Sequence, residues 1–220
     1  MPAPPAARKR PAPDPYRVLA RRDPVLKRLM HEHGRPDPFV HHDGGRTGDD
    51  YFAALVLDIS GQQLSIAAAF AVYDRIAAAT GGRPHPAGVI ALGPDGLRAC
   101  GLSRAKAAYV TGLAERQLSG AIDLRGLDRL SDEEAMAALR ALPGIGRWTA
   151  ETFLLHGLRR PDVLPADDIG IRRAVRREWA LDAAPGAEEV RRRGLAWSPY
   201  RSYAAALLWR SLRLTTPPPK

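Results

Sequence analysis

Residues 142–150, with the sequence Leu-Pro-Gly-Ile-Gly-Arg-Trp-Thr-Ala, constrain the fold of this chain more than any other stretch. Pro143 ends the preceding helix, because the residue before a proline resists helical dihedral angles. Gly144 and Gly146 allow a positive φ and the close approach of another backbone. A second helix begins near Arg147, where unpaired amides and the helix dipole favour an anion. The string therefore predicts two helices joined by a hairpin that can bind an anion.

The composition indicates what kind of anion this is. The chain has 33 Lys and Arg against 24 Asp and Glu, which gives a formal net charge of +9 and a pI near 10.3. Such a balance favours a polyanionic partner, and a nucleic-acid phosphate is the obvious candidate. Charge alone does not separate DNA from RNA or from a membrane, and a glycine turn between helices can also exist without a ligand.

Length and cysteine content narrow the class of protein. A chain of 220 residues with 45% hydrophobic residues suits one domain or two small lobes. Cys100 is the only cysteine, which excludes an internal disulfide framework and a four-cysteine cluster. No apolar run reaches the roughly 20 residues needed to span a membrane, and no secretory signal is seen at the start. We expect a cytoplasmic, monomeric protein without membrane contact.

Hydrophobic periodicity predicts helices and almost no strands, so we expect an all-α fold. Proline-rich, basic composition predicts disorder in residues 1–15, and residues 214–220 are expected to be disordered too. The first helix is expected around residues 25–30, while the glycines and prolines of residues 81–94 predict a long turn. A capping box that begins at Ser131 predicts the start of the helix before the hairpin.

Two segments carry a resemblance to a known family: the hairpin string and residues 163–171, Val-Leu-Pro-Ala-Asp-Asp-Ile-Gly-Ile. They resemble the helix-hairpin-helix DNA glycosylase superfamily, and most closely its alkylation-repair branch, DNA-3-methyladenine glycosylase II. The resemblance implies an all-α, two-lobed fold with the active site in the cleft between the lobes. One lobe would be residues 51–160, with the hairpin at 140–148, and the other would join residues 16–50 to 161–213. The extra N-terminal β-rich domain of some relatives is not expected.

The resemblance implies a base-excision repair enzyme that acts on double-stranded DNA containing damaged bases. It would hydrolyse the N-glycosidic bond of alkylated purines such as 3-methyladenine after flipping the base out of the duplex. This chemistry needs one carboxylate near the sugar, because cleavage builds oxocarbenium character there. Asp168 matches the catalytic position of the family, one helix and one loop after the hairpin. Asp167 beside it is expected to be a helix cap.

No lyase step and no resident cofactor are expected. Relatives that also cut the DNA backbone form a Schiff base through a lysine in the helix after the hairpin, and Trp148 stands at the matching position. Arg147 cannot replace that lysine, because a guanidinium stays protonated. Zinc is not expected, since the histidines lack acidic or cysteine partners at ligand spacing. By resemblance, a K⁺ or Na⁺ ion at the hairpin would be held by the carbonyls of Arg140, Leu142 and Ile145.

The resemblance also assigns residues to base binding and to DNA contact. A cationic base between two tryptophans would gain cation–π attraction, and a glutamine wedge, Gln63, would fill the gap left by the flipped base. The expected base-pocket residues are Trp148, Trp209, Gln62, Thr152 and Ile169. The expected phosphate contacts are Gly144, Gly146, Arg147 and Thr149, with Arg104, Lys106, Arg201 and Ser202 as weaker candidates.

Other interpretations stay open at this stage. Each tryptophan can be a core residue, and the two glutamines can be a polar helix break. Thr152, Ile169 and Gly170 stand where alkylation-repair relatives often carry bulkier residues, so a glycosylase for deaminated or oxidised bases is a second hypothesis. A third is a non-catalytic helix-hairpin-helix DNA-binding module, which would need neither the acid nor the tryptophans.

Overall fold

A computed structural model describes residues 13–40 and 43–213, and every regular element in these ranges is helical. The prediction of an all-α fold is confirmed. No helix in the same ranges is long and apolar enough to cross a membrane. The α-helices are α1 (Pro15–Arg22), α2 (Pro24–His33), α3 (Tyr51–Gly61), α4 (Ile66–Ala79), α5 (Pro86–Ala99), α6 (Arg104–Leu118), α7 (Asp132–Arg140), α8 (Arg147–His156), α9 (Ile169–Glu178), α10 (Ala187–Gly194) and α11 (Arg201–Arg213), with short 3-10 helices at Arg125–Arg129 and Leu195–Trp197.

Short polar side chains start most of these helices by accepting a backbone amide of the first turn, which satisfies one of the unpaired donors there. The capping box predicted at Ser131 forms in full, because the Glu134 carboxylate also accepts the Ser131 amide. Helices α5, α8 and α10 begin without a side-chain capping bond. The capping residues are Asp14, Asp23, Asp50, Ser65, Ser103, Ser131 and Asp168.

Two boundaries predicted from composition are wrong. The disordered arm was expected to reach residue 15, but Asp14 caps α1 and Pro15 is its first residue, a place where the missing amide of proline is no loss. Residues 1–12 and 214–220 lie outside the described residues. The expected long turn at 81–94 contains most of α5, which is kinked at Gly93 (φ 68°).

The helix contacts fall into two groups. Helix α3 packs against α4, α6 and α8, while α5 packs against α4 and α6, and α7 packs against α8. In the other group, α11 packs against α1, α2 and α9, and α10 contacts α9. The contacts fix which helices pack together, and the exact division into lobes at residues 50 and 160 stays a prediction.

One buried hydrogen bond ties the start of the chain to its end. The Asp23 carboxylate caps α2 through the amides of Val25 and Leu26. Its second oxygen accepts the indole N–H of Trp197 at 2.9 Å. Trp197 is fully buried, so this N–H has no access to water and depends on Asp23 as its acceptor.

Asp23→Ala should therefore lower the free energy of unfolding by about 2–4 kcal/mol. The loss combines a cap of about 1 kcal/mol with a buried unpaired N–H at about 1–3 kcal/mol. Asp50→Ala, which removes only the capping bond to Ala53, is the matched control and should lose about 1 kcal/mol. Urea denaturation compares the two. Equal losses would show that the Trp197 bond adds nothing.

Candidate active site

The carboxylate of Asp168 is the meeting point of three helices. Its Oδ1 accepts the Ile171 amide of α9 at 2.9 Å and the indole N–H of Trp209 on α11 at 2.9 Å. Its Oδ2 accepts the indole N–H of Trp148 on α8 at 3.0 Å. The carboxylate remains half-buried at the start of α9. Three N–H donors thus hold one acid in a fixed orientation where α8, α9 and α11 approach one another.

The neighbouring acid, Asp167, does not have the predicted role. It was expected to cap the helix, but Asp168 is the N-cap of α9 and Asp167 forms an ion pair with Arg191 of α10. The prediction fails because an N-cap carboxylate can bond the first helical turn with one oxygen and leave the other for different donors. The residue expected to be catalytic is therefore also the cap.

The two tryptophans are partly exposed rather than buried in the core. Both indole N–H groups bind Asp168, which sequence analysis did not anticipate. Trp209 also stacks on His156 of α8, with ring centroids 5.8 Å apart and an interplanar angle of 25°. One face of Trp209 is therefore covered by His156, and a base would have to stack on the other.

The small residues next to Asp168 serve the carboxylate more than they enlarge a pocket. A Cβ at Gly170 would lie 2.9 Å from Asp168 Oδ1 and 3.4 Å from Trp209 Cδ1. Glycine is needed there to leave the acid and the indole in contact. Ile169 beside it is 64% exposed, and the Thr152 hydroxyl donates to the Trp148 carbonyl at 2.8 Å. Ile169 directly follows Asp168 and Thr152 lies one helical turn after Trp148, and their assignment to the pocket stays a prediction.

The two glycines of the hairpin differ in what they do. Gly144 has φ 84°, and a Cβ there would lie 2.2 Å from Cδ2 of Tyr109 on α6. Gly146 has φ −81°, which any residue adopts, and a Cβ there would meet nothing within 4 Å. The predicted positive φ therefore occurs at Gly144 alone. Gly146 is the N-cap of α8 and leaves open space in front of the first amides of that helix.

Two other expected phosphate contacts are only partly available. Thr149 is 2% exposed, and its hydroxyl accepts the side-chain amide of Gln62 at 3.2 Å, so it could contact DNA only through its backbone. The Arg147 side chain is half exposed, with its Nε bound to Glu151 at 2.9 Å. Burial raises the pKa of Glu151, and hydrogen bonding and charge from Arg147 oppose that shift.

The turn after α3 is fastened to the hairpin. The Gln62 side-chain amide donates to the Gly144 carbonyl at 2.8 Å. Lys106 of α6 donates to the carbonyls of Ser60 at 2.9 Å and Gln62 at 2.6 Å, and burial lowers its pKa. Lys106 is thus wrong as a phosphate contact, because its ammonium binds the carbonyls at the end of α3.

Sequence analysis missed the apolar part of this turn. Gln63 is exposed and has φ 60°, a rare value for a residue with a side chain. Leu64 is 45% exposed and Ile66 is 66% exposed. A leucine inside a polar turn was the signal that could have identified them. The turn and the first residue of α4 thus present one polar and two apolar side chains to solvent.

Two of the remaining weak candidates have partners within the protein. Arg201 binds Asp162 through Nε at 2.8 Å and an η nitrogen at 3.0 Å, and this pairing lowers the pKa of Asp162 against the effect of burial. The buried Ser202 hydroxyl donates to the Arg160 carbonyl. Both are therefore wrong as phosphate contacts. Arg104 is exposed at the start of α6 and stays a prediction.

A groove of about 740 Å³ runs between the hairpin and the turn after α3. The carbonyl-bearing residues Arg140, Leu142 and Ile145 line it, and the Leu142 carbonyl accepts the Ile145 amide at 3.1 Å. A carbonyl that accepts one amide keeps a second lone pair, so the Leu142 oxygen can still bind a cation, and the monovalent cation site stays a prediction. No cluster of His, Cys, Asp or Glu suited to a metal occurs in the described ranges. The groove is lined by Gln62, Gln63, Tyr109, Arg140, Ala141, Leu142, Pro143, Gly144, Ile145, Gly146, Trp148 and Thr149.

A hairpin with an open helix N-terminus, next to an acid held by two indoles, defines a helix-hairpin-helix protein with a single-carboxylate site. Comparison with known families gives the same class. The chain belongs to the HhH-GPD superfamily of base excision DNA repair proteins, whose family model matches residues 56–199.

Several known proteins are similar to this chain. DNA-3-methyladenine glycosylase 1 of Schizosaccharomyces pombe is 34% identical over 74% of this chain and 73% of its own length. A putative DNA-3-methyladenine glycosylase of Bacillus subtilis is 32% identical over 79% of this chain, which spans 64% of that relative. The S. pombe 3-methyladenine DNA glycosylase solved with abasic DNA superposes with a TM-score of 0.82 at 31% identity, covering 91% of this chain and 97% of that one.

The unequal roles of the two hairpin glycines can be tested by stability. Gly144→Ala should lower the free energy of unfolding by at least about 1–2 kcal/mol from its positive φ, and further through the collision with Tyr109. Gly146→Ala should lose less than about 1 kcal/mol, which is the preference for glycine over alanine at an N-cap. Thermal or urea unfolding measures both variants. Comparable losses in the two would contradict the assignment of strain to Gly144 alone.

Proposed function

We propose that the protein is a monofunctional DNA N-glycosylase of base-excision repair, acting on alkylated purines such as 3-methyladenine after base flipping. The observation that carries the proposal is the Asp168 carboxylate, held by Trp148 and Trp209 at the start of α9. The acid lies next to a hairpin whose helix N-terminus is open, in a chain of the HhH-GPD superfamily. The relatives named as 3-methyladenine glycosylases support the substrate class.

The geometry suits stabilisation of positive charge on the sugar. Breaking the N-glycosidic bond builds oxocarbenium character, and a fixed carboxylate lowers the energy of that state without reorganising. All three groups around Asp168 donate hydrogen bonds, so both oxygens act as acceptors and the carboxylate is oriented in advance. The same oxygens can align the attacking water. An alkylated purine already carries positive charge and leaves without a second acid.

The partly exposed surfaces beside the acid suit a flipped base. Trp148 and the uncovered face of Trp209 would stack against it, with Ile169 as an apolar border. The turn after α3 would enter the duplex, where Gln63 fills the vacated position and the exposed Leu64 wedges against the neighbouring bases. The positive φ of Gln63 is consistent with a functional turn, because such strain persists where surrounding structure imposes it.

The N-terminus of α8 would bind a DNA phosphate. Its first amides have no side-chain cap, and the empty space at Gly146 lets a phosphate approach them. A K⁺ or Na⁺ ion held by the carbonyls of Arg140, Leu142 and Ile145 would add positive charge beside that phosphate. The chain would act in the cytoplasm, where bacterial DNA is found.

Asp168→Asn should reduce single-turnover release of 3-methyladenine by at least about 100-fold, since the charge opposite the developing cation is lost. Binding to DNA with an abasic-site analogue should be nearly unchanged. Gly146→Ala is the matched control with the opposite pattern, weaker DNA binding and a normal rate at saturating protein. Chromatography of the released base measures the rates. Wild-type release by Asp168→Asn would refute the mechanism.

No Schiff base should form with the abasic product. The four lysines are Lys9, Lys27, Lys106 and Lys220, and none is on α8. Lys27 is exposed on α2, and the Lys106 ammonium binds two carbonyls. Borohydride added during turnover should therefore trap no covalent protein–DNA complex, and the strand should stay intact without alkali. A trapped complex or spontaneous nicking would contradict the monofunctional proposal.

A glycosylase for deaminated or oxidised bases is the second candidate function, favoured by the short side chain at Thr152. Duplexes that each carry one defined lesion separate the two, because the released base identifies the substrate. A purely DNA-binding module would release no base from any duplex.

A further inference from the structure

Asp58 is the one charged residue in the apolar helix α3, whose sequence is Tyr-Phe-Ala-Ala-Leu-Val-Leu-Asp-Ile-Ser-Gly. The residues on both sides of it are buried, whereas Asp58 itself is partly accessible. Within residues 13–40 and 43–213, no hydrogen bond or ion pair reaches its carboxyl group. An ionisable group in such a place needs an explanation, because burying a carboxylate without a partner is costly.

Two contacts define how α3 lies on α8. The Tyr51 ring packs edge-on against Phe153 with centroids 5.5 Å apart, and Gln62 binds Thr149 at 3.2 Å. The two helices therefore run antiparallel. Asp58 follows Tyr51 by seven residues, so the two side chains lie within about 20° of each other around the helix. Asp58 is thus on the face that meets α8, between those two contacts.

The pattern of burial on α8 shows which side of this face is open. Beyond Thr149 and Phe153 in one direction lie Ala150 and Leu154, which are buried. The other direction is partly accessible, and it holds Trp148, Thr152 and His156. Asp58 is partly accessible, and this second side is the one on which a partly accessible side chain of α3 can lie. Trp148 binds Asp168 and His156 stacks on Trp209, which makes this side the cleft of the candidate active site.

No charge near Asp58 compensates for its burial. Loss of hydration raises the pKa of Asp58 to about 8. Titratable groups on α3, on α6 and at the candidate site have other partners: the Tyr51 hydroxyl binds Asp128, Lys106 binds carbonyls at the end of α3, and Asp168 is held by the indoles. His156 stacks on Trp209, and Tyr109 lies against Gly144. On α4, Asp74 pairs with Arg46. Arg75 donates to the Cys100 carbonyl, and Tyr73 donates to the Arg46 carbonyl.

We propose that Asp58 faces the flipped base and selects purines that carry positive charge, as N-alkylated purines do. A cationic base would supply the positive charge that the Asp58 carboxyl lacks within the protein. That charge would favour the ionised carboxylate over the protonated carboxyl group. A neutral base, deaminated or oxidised, would gain nothing from it. This inference rests on the proposed glycosylase function and specifies its substrate class.

The effect on stability has a definite sign. The folded pKa is raised above the unfolded value, so between the two the folded protein binds more protons and loses stability as pH rises. Asp58→Asn should therefore raise the unfolding temperature at pH 7–9. A variant that is more stable and less active separates a functional carboxyl from a structural one, because misfolding cannot explain its defect.

The test compares a cationic with a neutral base. Asp58→Asn should release 3-methyladenine from chemically methylated DNA about ten-fold more slowly than the wild type, since one charge interaction at short range is lost. Its release of hypoxanthine from an inosine duplex should be unchanged. The rate for 3-methyladenine should rise from pH 6.5 to 8.5 in the wild type relative to Asp58→Asn. Equal loss on both bases, or no loss, would overturn the proposal.

Failure of the glycosylase function gives a different result. A wild-type protein that releases neither base would refute that function but not the placement of Asp58. A ¹³C NMR titration of the Asp58 carboxyl group then decides. A pKa near 8 in the free protein, together with ionisation of the carboxyl at pH 6 when 7-methylguanosine is added, supports a cation-selecting cleft. A value near 4, or one that the nucleoside does not move, overturns it.

Discussion

The bonds from two indoles and one amide to the Asp168 carboxylate are the interaction on which the site depends. They join α8, α9 and α11, which are far apart in the chain, at one pair of oxygen atoms. Because Asp168 is also the N-cap of α9, the start of that helix and the direction of the acid cannot change independently. Gly170 completes the arrangement, since any side chain there would press on the carboxylate. The electrostatics of the site are therefore set by helix packing rather than by a mobile loop.

The hairpin divides its tasks between two glycines that look equivalent in the sequence. Gly144 accommodates the Tyr109 ring and a left-handed backbone, so it belongs to the fold. A Cβ at Gly146 would meet nothing within 4 Å, so the lack of a side chain there matters mainly to a molecule that approaches from outside. Glycine is thus required by the fold at position 144, and at position 146 it leaves room for a ligand.

Structural features that depend on residues close together in the chain could be predicted from the sequence. The capping box at Ser131 and the hairpin follow from short-range patterns, and the all-helical fold follows from periodicity. The catalytic role of Asp168 came from the family resemblance and stays a prediction. The role of Asp167 did not follow, because its partner Arg191 lies on α10, and only tertiary packing brings the two residues together. The helix from Pro86 was missed because its prolines and Gly93 have the composition of a turn. Asp58 could not be identified from the sequence, because the role of a single acid in an apolar helix depends on which neighbouring helices its side chain faces.

The bond from the Gln62 side chain to the Gly144 carbonyl has a consequence for how such a protein would move along DNA. It joins the hairpin and the turn after α3 into one stiff piece, and Lys106 fastens the same turn from behind. If the hairpin holds a phosphate and the turn probes the bases, the offset between the two along the duplex is constant. The protein would then probe the base that lies at a constant distance along the duplex from the phosphate bound by the hairpin.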